Sequence, residues 1–293
     1  MNLFEILKTT PNSDLKNAVI PHYLYGAFRR KSITFFNGLS DENTIVYWFQ
    51  SRSFTIDLRL KSQTETLVHE RQGWIGNTIW NTQEQLLSWH VDAHANYQNH
   101  VQWPEPAKLH PIGNCILEFS PSNVYVEDWR QQVQQGLFLG LRLKQAIDLE
   151  NDESLNMDGG LIICDQHIAY CLTRLPETQD LIKNIHFQHT DALDHKAIES
   201  FEVSIGIDGQ HISYSTISKQ VGQTFNLDDF EQIDGSTLVQ HRILNGRKID
   251  LFFEIDVFQT DFNFQYITPT TLESENWLKL EESHLMHHAQ FVV

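Results

Sequence analysis

A chain of 293 residues, 41% hydrophobic and carrying 18 Phe, 8 Tyr and 7 Trp, can bury a sizeable core, and its length favours two domains over one. Lys and Arg number 21 against 38 Asp and Glu, a formal charge of -17, so the surface repels phosphate backbones and anionic lipid and neither nucleic acid nor a membrane is expected as a partner. The N-terminus, MNLFEILKTTPNSD, has no basic start before an apolar core, and no apolar run nears the ~20 residues a spanning helix needs, so a cytoplasmic location is expected.

In chain order, residues 2 to 9 suit one or two helical turns stopped by Pro11, and a second short helix is expected near Asp14 to Val19. Tyr23 to Phe36 reads as extended, and Asn37-Gly38 signals a turn. Thr44 to Leu60 follows as two apolar arms folded across Gln50-Ser51-Arg52-Ser53. In the second arm Phe54, Ile56, Leu58 and Leu60 alternate with Thr55, Asp57 and Arg59, the period of a strand buried on one face. Gly73 to Trp80 and Leu86 to Asp92 form the next pair. Residues 95 to 111, with Pro104, Pro106 and Pro111, read as a loop. Ile112 to Phe119, Asn123 to Trp129 and Leu137 to Leu143 complete about eight strands, the number at which an up-and-down barrel closes around side chains or one small ligand.

The polar stretch Asp148 to Gly160 reads as a boundary, after which the pattern restarts. Gly160 to Leu175 aligns without a gap on Ile45 to Leu60, with Arg174-Leu175 under Arg59-Leu60, which suggests a duplication. Glu177 to His189 has helical spacing, hairpins are expected at Phe201 to Ile217 and at Thr237 to Phe258 with turns at Asp208-Gly209 and Asn245-Gly246, and Phe262 to Thr268 reads as a further strand. Glu273 to Val293 is expected to pack back as a short helix and tail. The expected fold is all-β with few short helices: two antiparallel barrels side by side, at 22 to 147 and 159 to 270, with terminal extensions at 1 to 21 and 271 to 293.

Several clusters carry chemistry. Asp57 and Arg59 share one strand face, with Gln50 on the opposing arm. Facing a lumen they would orient a ligand's polar end, and facing outward they are a surface ion pair. Trp48, Trp74, Trp80, Trp89 and Trp129 would wall an apolar ligand or simply fill the core. His90, Asp92 and His94 alternate along WHVDAH, a pattern able to supply two imidazoles and a carboxylate to a metal if all three lie in one strand, although no metal or other cofactor is expected. His186, His189 and His195, and the pair His287-His288, read as exposed. The Arg29-Arg30-Lys31 run reads as a solvated strand start, and Glu127-Asp128-Trp129-Arg130 as a latch at a barrel end. Cys115, Cys164 and Cys171 are too few and scattered for a disulfide framework and are expected as buried thiols. No nucleophile elbow, phosphate loop or dinucleotide fingerprint occurs, so no catalytic residue is assigned.

Trp48-x-Gln50, Phe54-x-x-Asp57-x-Arg59, Gly73-Trp74, Ile112-Gly113-Asn114-Cys115, Glu127-Asp128-Trp129-Arg130 and Gly159-Gly160-Leu161-Ile162 together resemble a bacterial family of lipocalin-like proteins, distantly similar to a fungal protein built of two such barrels. The resemblance covers roughly residues 22 to 270 and implies the calycin superfamily, whose simpler members hold small apolar molecules inside a barrel. It transfers a fold and no reaction. The resulting expectation is a small, mainly apolar ligand in the first barrel, contacted by Gln50, Asp57, Arg59, Trp48, Trp80, Trp89, His90 and Trp129, with the second barrel as support. Two alternatives stay open. One is an isomerase or hydratase of the calycin type, with Asp57, Asp92 or His90 sharing one cavity. The other is an interaction scaffold with filled barrels. The oligomeric state is not legible.

Overall fold

The computed structural model describes residues 1–293 apart from 63, 103–104, 184, 186, 188–193 and 291–293. Nine strands make the first sheet: β1 Gly26–Phe35, β2 Ser40–Asp41, β3 Ile45–Gln50, β4 Phe54–Leu60, β5 Gln72–Asn81, β6 Leu86–His90, β7 Ala107–Ile112, β8 Cys115–Phe119 and β9 Tyr125–Gln131. From β3 to β9 each strand pairs antiparallel with the next, and β9 returns to β1 from Phe28↔Gln131 to Phe35↔Tyr125, so the sheet closes into a barrel. The short β2 hangs from the end of β1. A bulge between Arg30 and Ser32 shifts the β1–β9 register, which returns Ile33 and Phe35 to the same wall as Arg30.

Without the short β2 the closed ring has eight strands, as the sequence suggests, but their membership differs. Residues 107 to 111, part of the 95 to 111 stretch read as a loop because of its prolines, form β7 together with Ile112, and Pro111 sits opposite Ile116 near the strand end. Leu137 to Leu143, read as the last barrel strand, lies instead in β10 Gln135–Asp148, the central strand of a second sheet.

That second sheet also contains β11 Glu153–Leu155, β12 Gly159–Cys164, β13 His167–Leu172, β14 Glu202–Gly206, β15 Tyr214–Ser215, β16 Phe230–Gln232, β17 Thr237–Leu244 and β18 Arg247–Asn263, in the order β15-β14-β13-β12-β10-β18-β17-β16, with β11 on β10. Its outermost strands do not pair with each other, so the expected second barrel is corrected to an open sheet. The physical reason lies at the edges. β15 and β16 hold two and three residues, too few to make a closing seam, and the edge of β16 is already taken by Met1, which exchanges two 2.9 Å backbone hydrogen bonds with Phe230. Helix α1, Leu3–Leu7, then lays Leu3, Ile6 and Leu7 against the apolar face carrying Leu139, Leu141, Leu161, Leu251 and Phe253.

The opposite face of the open sheet packs on the outside of the barrel, and one hydrophobic core runs through both. Contact is close because three glycines stand at the crossing. A methyl group on Gly73 would meet Val203 at 2.9 Å, one on Gly160 would meet Phe54 at 2.8 Å, and one on Gly140 would collide with Ser51 Oγ. Asp256 of β18 caps the β3–β4 turn, accepting from Ser51 Oγ and Ser53 Oγ at 2.6 Å each and from the Ser53 N–H at 2.9 Å. Arg174 crosses from the second sheet to donate to the carbonyls of Tyr97 and Ile198 at 2.8 and 2.7 Å.

The Asn245-Gly246 turn forms with φ of 51° and 84°, the left-handed pair that a tight hairpin requires. The hairpin at Asp208-Gly209 forms as β14 and β15, whereas the strand expected at Phe262 to Thr268 ends with β18 at Asn263. No helix forms at Asp14 to Val19. Helix α2, Pro176–Ile182, supplies the first part of the helix expected at Glu177 to His189; positions 184, 186, 188 and 189, including His186 and His189, lie outside the described residues. Helix α3 is His195–Ile198. Helix α4, Leu272–Leu285, forms but buries none of its residues, so it does not pack back; residues 291–293 lie outside the described ones. No helix among the described residues is long and apolar enough to cross a membrane. The three cysteines are buried free thiols.

Candidate functional site

Strand β4 decides what the barrel interior is made of. Its apolar set, Phe54, Ile56 and Leu58, is fully buried, but against the second sheet: Phe54 meets Gly160 and the Arg142 guanidinium, and Leu58 pairs with Gly73 beside Val203. Alternation then turns Thr55, Asp57 and Arg59 into the lumen. The strand is thus covered on both faces, and the polar face lines the hollow.

The hollow is a cavity of about 500 Å³, within the range typical of small-molecule sites. Trp48, Trp74, Trp89 and Trp129 form its apolar wall. Trp48 stacks on Phe28 at 4.7 Å and meets Trp89 and Trp129 edge-on, both at 5.5 Å. Asp57 is paired across to Trp48 on one side and Trp74 on the other, so this carboxylate sits between two indoles. It is 2% exposed and accepts from Arg59 Nε at 2.9 Å, while the Arg59 side chain, 31% exposed, lies towards the mouth. Burial alone would lower the Arg59 pKa, but the neighbouring charges of Asp57 and Glu127, with the hydrogen bond to Asp57, more than offset it and hold the guanidinium protonated.

A second polar group lines the opposite wall. Arg30 donates to Glu127 Oε1 at 2.8 Å and to Asp41 Oδ2 at 2.9 Å. Glu127 is directly across from Glu118 on β8, two carboxyl groups side by side in one lumen. Glu118 accepts from Trp129 Nε1 at 2.9 Å and from the Tyr125 hydroxyl at 3.1 Å. Burial and then the charge of Glu127 push its pKa up to about 8, which favours its protonated form. Gln102 and Glu105, from the segment between β6 and β7, stand at the mouth.

Of the expected ligand contacts, Trp48, Asp57, Arg59, Trp89 and Trp129 come together here. Gln50 does not line the cavity. It is fully buried at the floor, where it donates to the carbonyl of Ser51 at 2.7 Å and to Thr78 Oγ1 at 3.0 Å and accepts from Trp48 and Thr55. Trp80 borders a separate surface pocket with Arg52, Ile79 and Val19. His90 is exposed and bonded to Ser88; as the neighbour of inward-facing Trp89 on one strand, it must point outward. β6 ends at His90, and Asp92 instead precedes a 3-10 turn at Ala93–Ala95, so His90, Asp92 and His94 do not share a strand face. Among the described residues no three metal-ligating side chains converge.

Arg30, Glu118, Tyr125 and Glu127 escape the sequence reading. For Tyr125 and Glu127 a signal exists: both lie at even spacing from Trp129, so placing that indole inside places them inside too. Arg30 sits within a basic run that reads as solvated yet is 7% exposed, and Asp128 and Arg130 bond each other outside the lumen.

No family model matches the chain, and no curated protein or solved structure matches it either. The closed antiparallel, calycin-like barrel therefore stands on the geometry alone.

Proposed function

We propose that the barrel binds a small, mainly apolar molecule in its lumen, held among Trp48, Trp74, Trp89 and Trp129, with its polar end near the Asp57–Arg59 pair. The observation that carries this reading is the 500 Å³ cavity, since a barrel of this strand number is otherwise filled by side chains. The open sheet serves as the platform that fixes β3, β4 and β5 from outside through one shared core. We read barrel and sheet as two units, the chain crossing between them after Gln131.

Native mass spectrometry of the protein purified from its own host tests this. An intact mass above the denatured chain mass, with a small organic molecule released on denaturation, is the expected result. A chain of unmodified mass that also gives no heat with apolar probes refutes it.

A second reading is proton transfer on that guest, favoured by the protonated Glu118 standing beside Glu127 in the cavity. Deuterium uptake into the released molecule, present with wild type and lost in Glu118→Gln, is its test.

A further inference from the structure

The charge inside the lumen is lopsided. Five carboxyl groups, Glu118 among them in its protonated form, line the cavity against two guanidiniums, with no lysine or histidine among the lining residues. Both guanidiniums are already engaged: Arg30 holds Glu127 and Asp41, and Arg59 holds Asp57 through both of its near nitrogens, at 2.9 and 3.4 Å. An anionic guest would have to break one of these pairs and then share a low-dielectric space with the carboxylates it released. The carboxylates are less fully used. Glu127 is only 5% exposed, and while its Oε1 takes the Arg30 bond, its Oε2 accepts none among the described residues. Glu105 at the mouth accepts from Ser120 at 2.8 Å and has no cationic partner among the described residues.

The remaining wall is indole. Four tryptophans present ring surface to the cavity, and the negative face of an indole attracts a cation more strongly than either of the other aromatic side chains does. Acidic groups behind an aromatic wall suit a ligand that is positively charged at one end and greasy at the other. Resting on the reading of the barrel as a binding site, we propose that its guest is an organic cation, a protonated or quaternary amine on an apolar body, its charge seated against the indoles beside Asp57 and Glu127.

Three probes that differ only at the polar end separate the possibilities: octylammonium, octanol and octanoate, titrated calorimetrically into the whole chain at pH 7 and low salt. Octylammonium is expected to bind about tenfold or more tightly than octanol, the size of a desolvated cation–π contact, with octanoate weakest. Added salt should weaken the ammonium complex and leave the octanol complex in place. Glu127→Gln should bring octylammonium down towards octanol. If that variant fails to fold through loss of the Arg30 partner, Glu105→Gln at the mouth gives the same comparison. Octanol binding as well as octylammonium, or octanoate binding better, overturns the cationic guest and leaves the barrel as a binding site. Absence of heat with all three, on a chain that also leaves its host empty, overturns both.

Discussion

Arg30 and Glu127 meet at 2.8 Å inside the barrel, across the seam where the first strand and the last close the sheet. The side chains are 7% and 6% exposed, so the pair is desolvated, and its value depends on both members being present. Removing one leaves a buried charge without its partner, at about 3–5 kcal/mol, whereas replacing both by apolar groups of similar volume is often close to neutral. Arg30→Met should therefore lower stability by about that much in urea denaturation, and Arg30→Met with Glu127→Met should recover most of the loss. A double variant no more stable than the single would show that the seam depends on the ion pair itself.

The packing of sheet on barrel makes a second prediction at Gly140. A methyl group there runs into Ser51 Oγ, and that hydroxyl is held at 2.6 Å by Asp256. Gly140→Ala should cost about 1–3 kcal/mol as overpacking, and Ser51→Gly in the same chain should restore part of it. An unchanged urea midpoint for Gly140→Ala would mean that the two sheets separate more easily than their shared core implies.

Two indoles of the cavity wall differ in one respect. The Trp129 N–H is satisfied by Glu118 at 2.9 Å, while the Trp89 N–H is buried without a partner among the described residues. Trimming either to phenylalanine removes similar apolar volume, but only the Trp129 change gives up a hydrogen bond to a carboxyl group. Trp129→Phe should be the more destabilising by about 1 kcal/mol or more, read as the difference between the two denaturation midpoints.

Glu118 sets the pH response. It faces Glu127, Tyr125 and Trp129 from β9 and Arg59 from β4, and its folded pKa is raised by burial and by Glu127 to about 8 against an ordinary 4.5. Between those values the folded chain holds a proton that the unfolded chain has released, so stability falls as pH rises through this window. The contribution is fully present below about pH 4.5 and lost above about pH 8. Glu118→Gln, which cannot ionise, should flatten the dependence of stability on pH between roughly pH 5 and 9. A variant that loses stability with pH as steeply as wild type would place the titrating group elsewhere.

Strand positions are well marked in this chain because turn residues punctuate them, as Asn245-Gly246 does between β17 and β18. What the pattern leaves open is which face looks inward. In β4 the apolar face turns out towards a second sheet and the polar face lines the hollow, and nothing local to TIDLRL distinguishes that from the reverse. Closure is equally nonlocal: Gly160 to Leu175 repeats the hairpin pattern of Ile45 to Leu60, yet one hairpin sits in a barrel and the other in an open sheet. The difference is made by a pair of very short edge strands and by Met1, none of them part of the hairpin that the pattern describes. His90 beside Trp89 is a separate lesson, since strand geometry alone forbids neighbours from sharing one lumen.

Those short edges reach beyond the molecule itself. An open sheet ordinarily offers its flanks to any passing chain as a template for cross-chain pairing. Here β15 holds two residues, β16 holds three and is already paired with Met1, and the longest strand, β18, lies between β10 and, along Arg247–Glu254, β17. The unsealed half of the protein thus offers little edge strand for another chain to pair with.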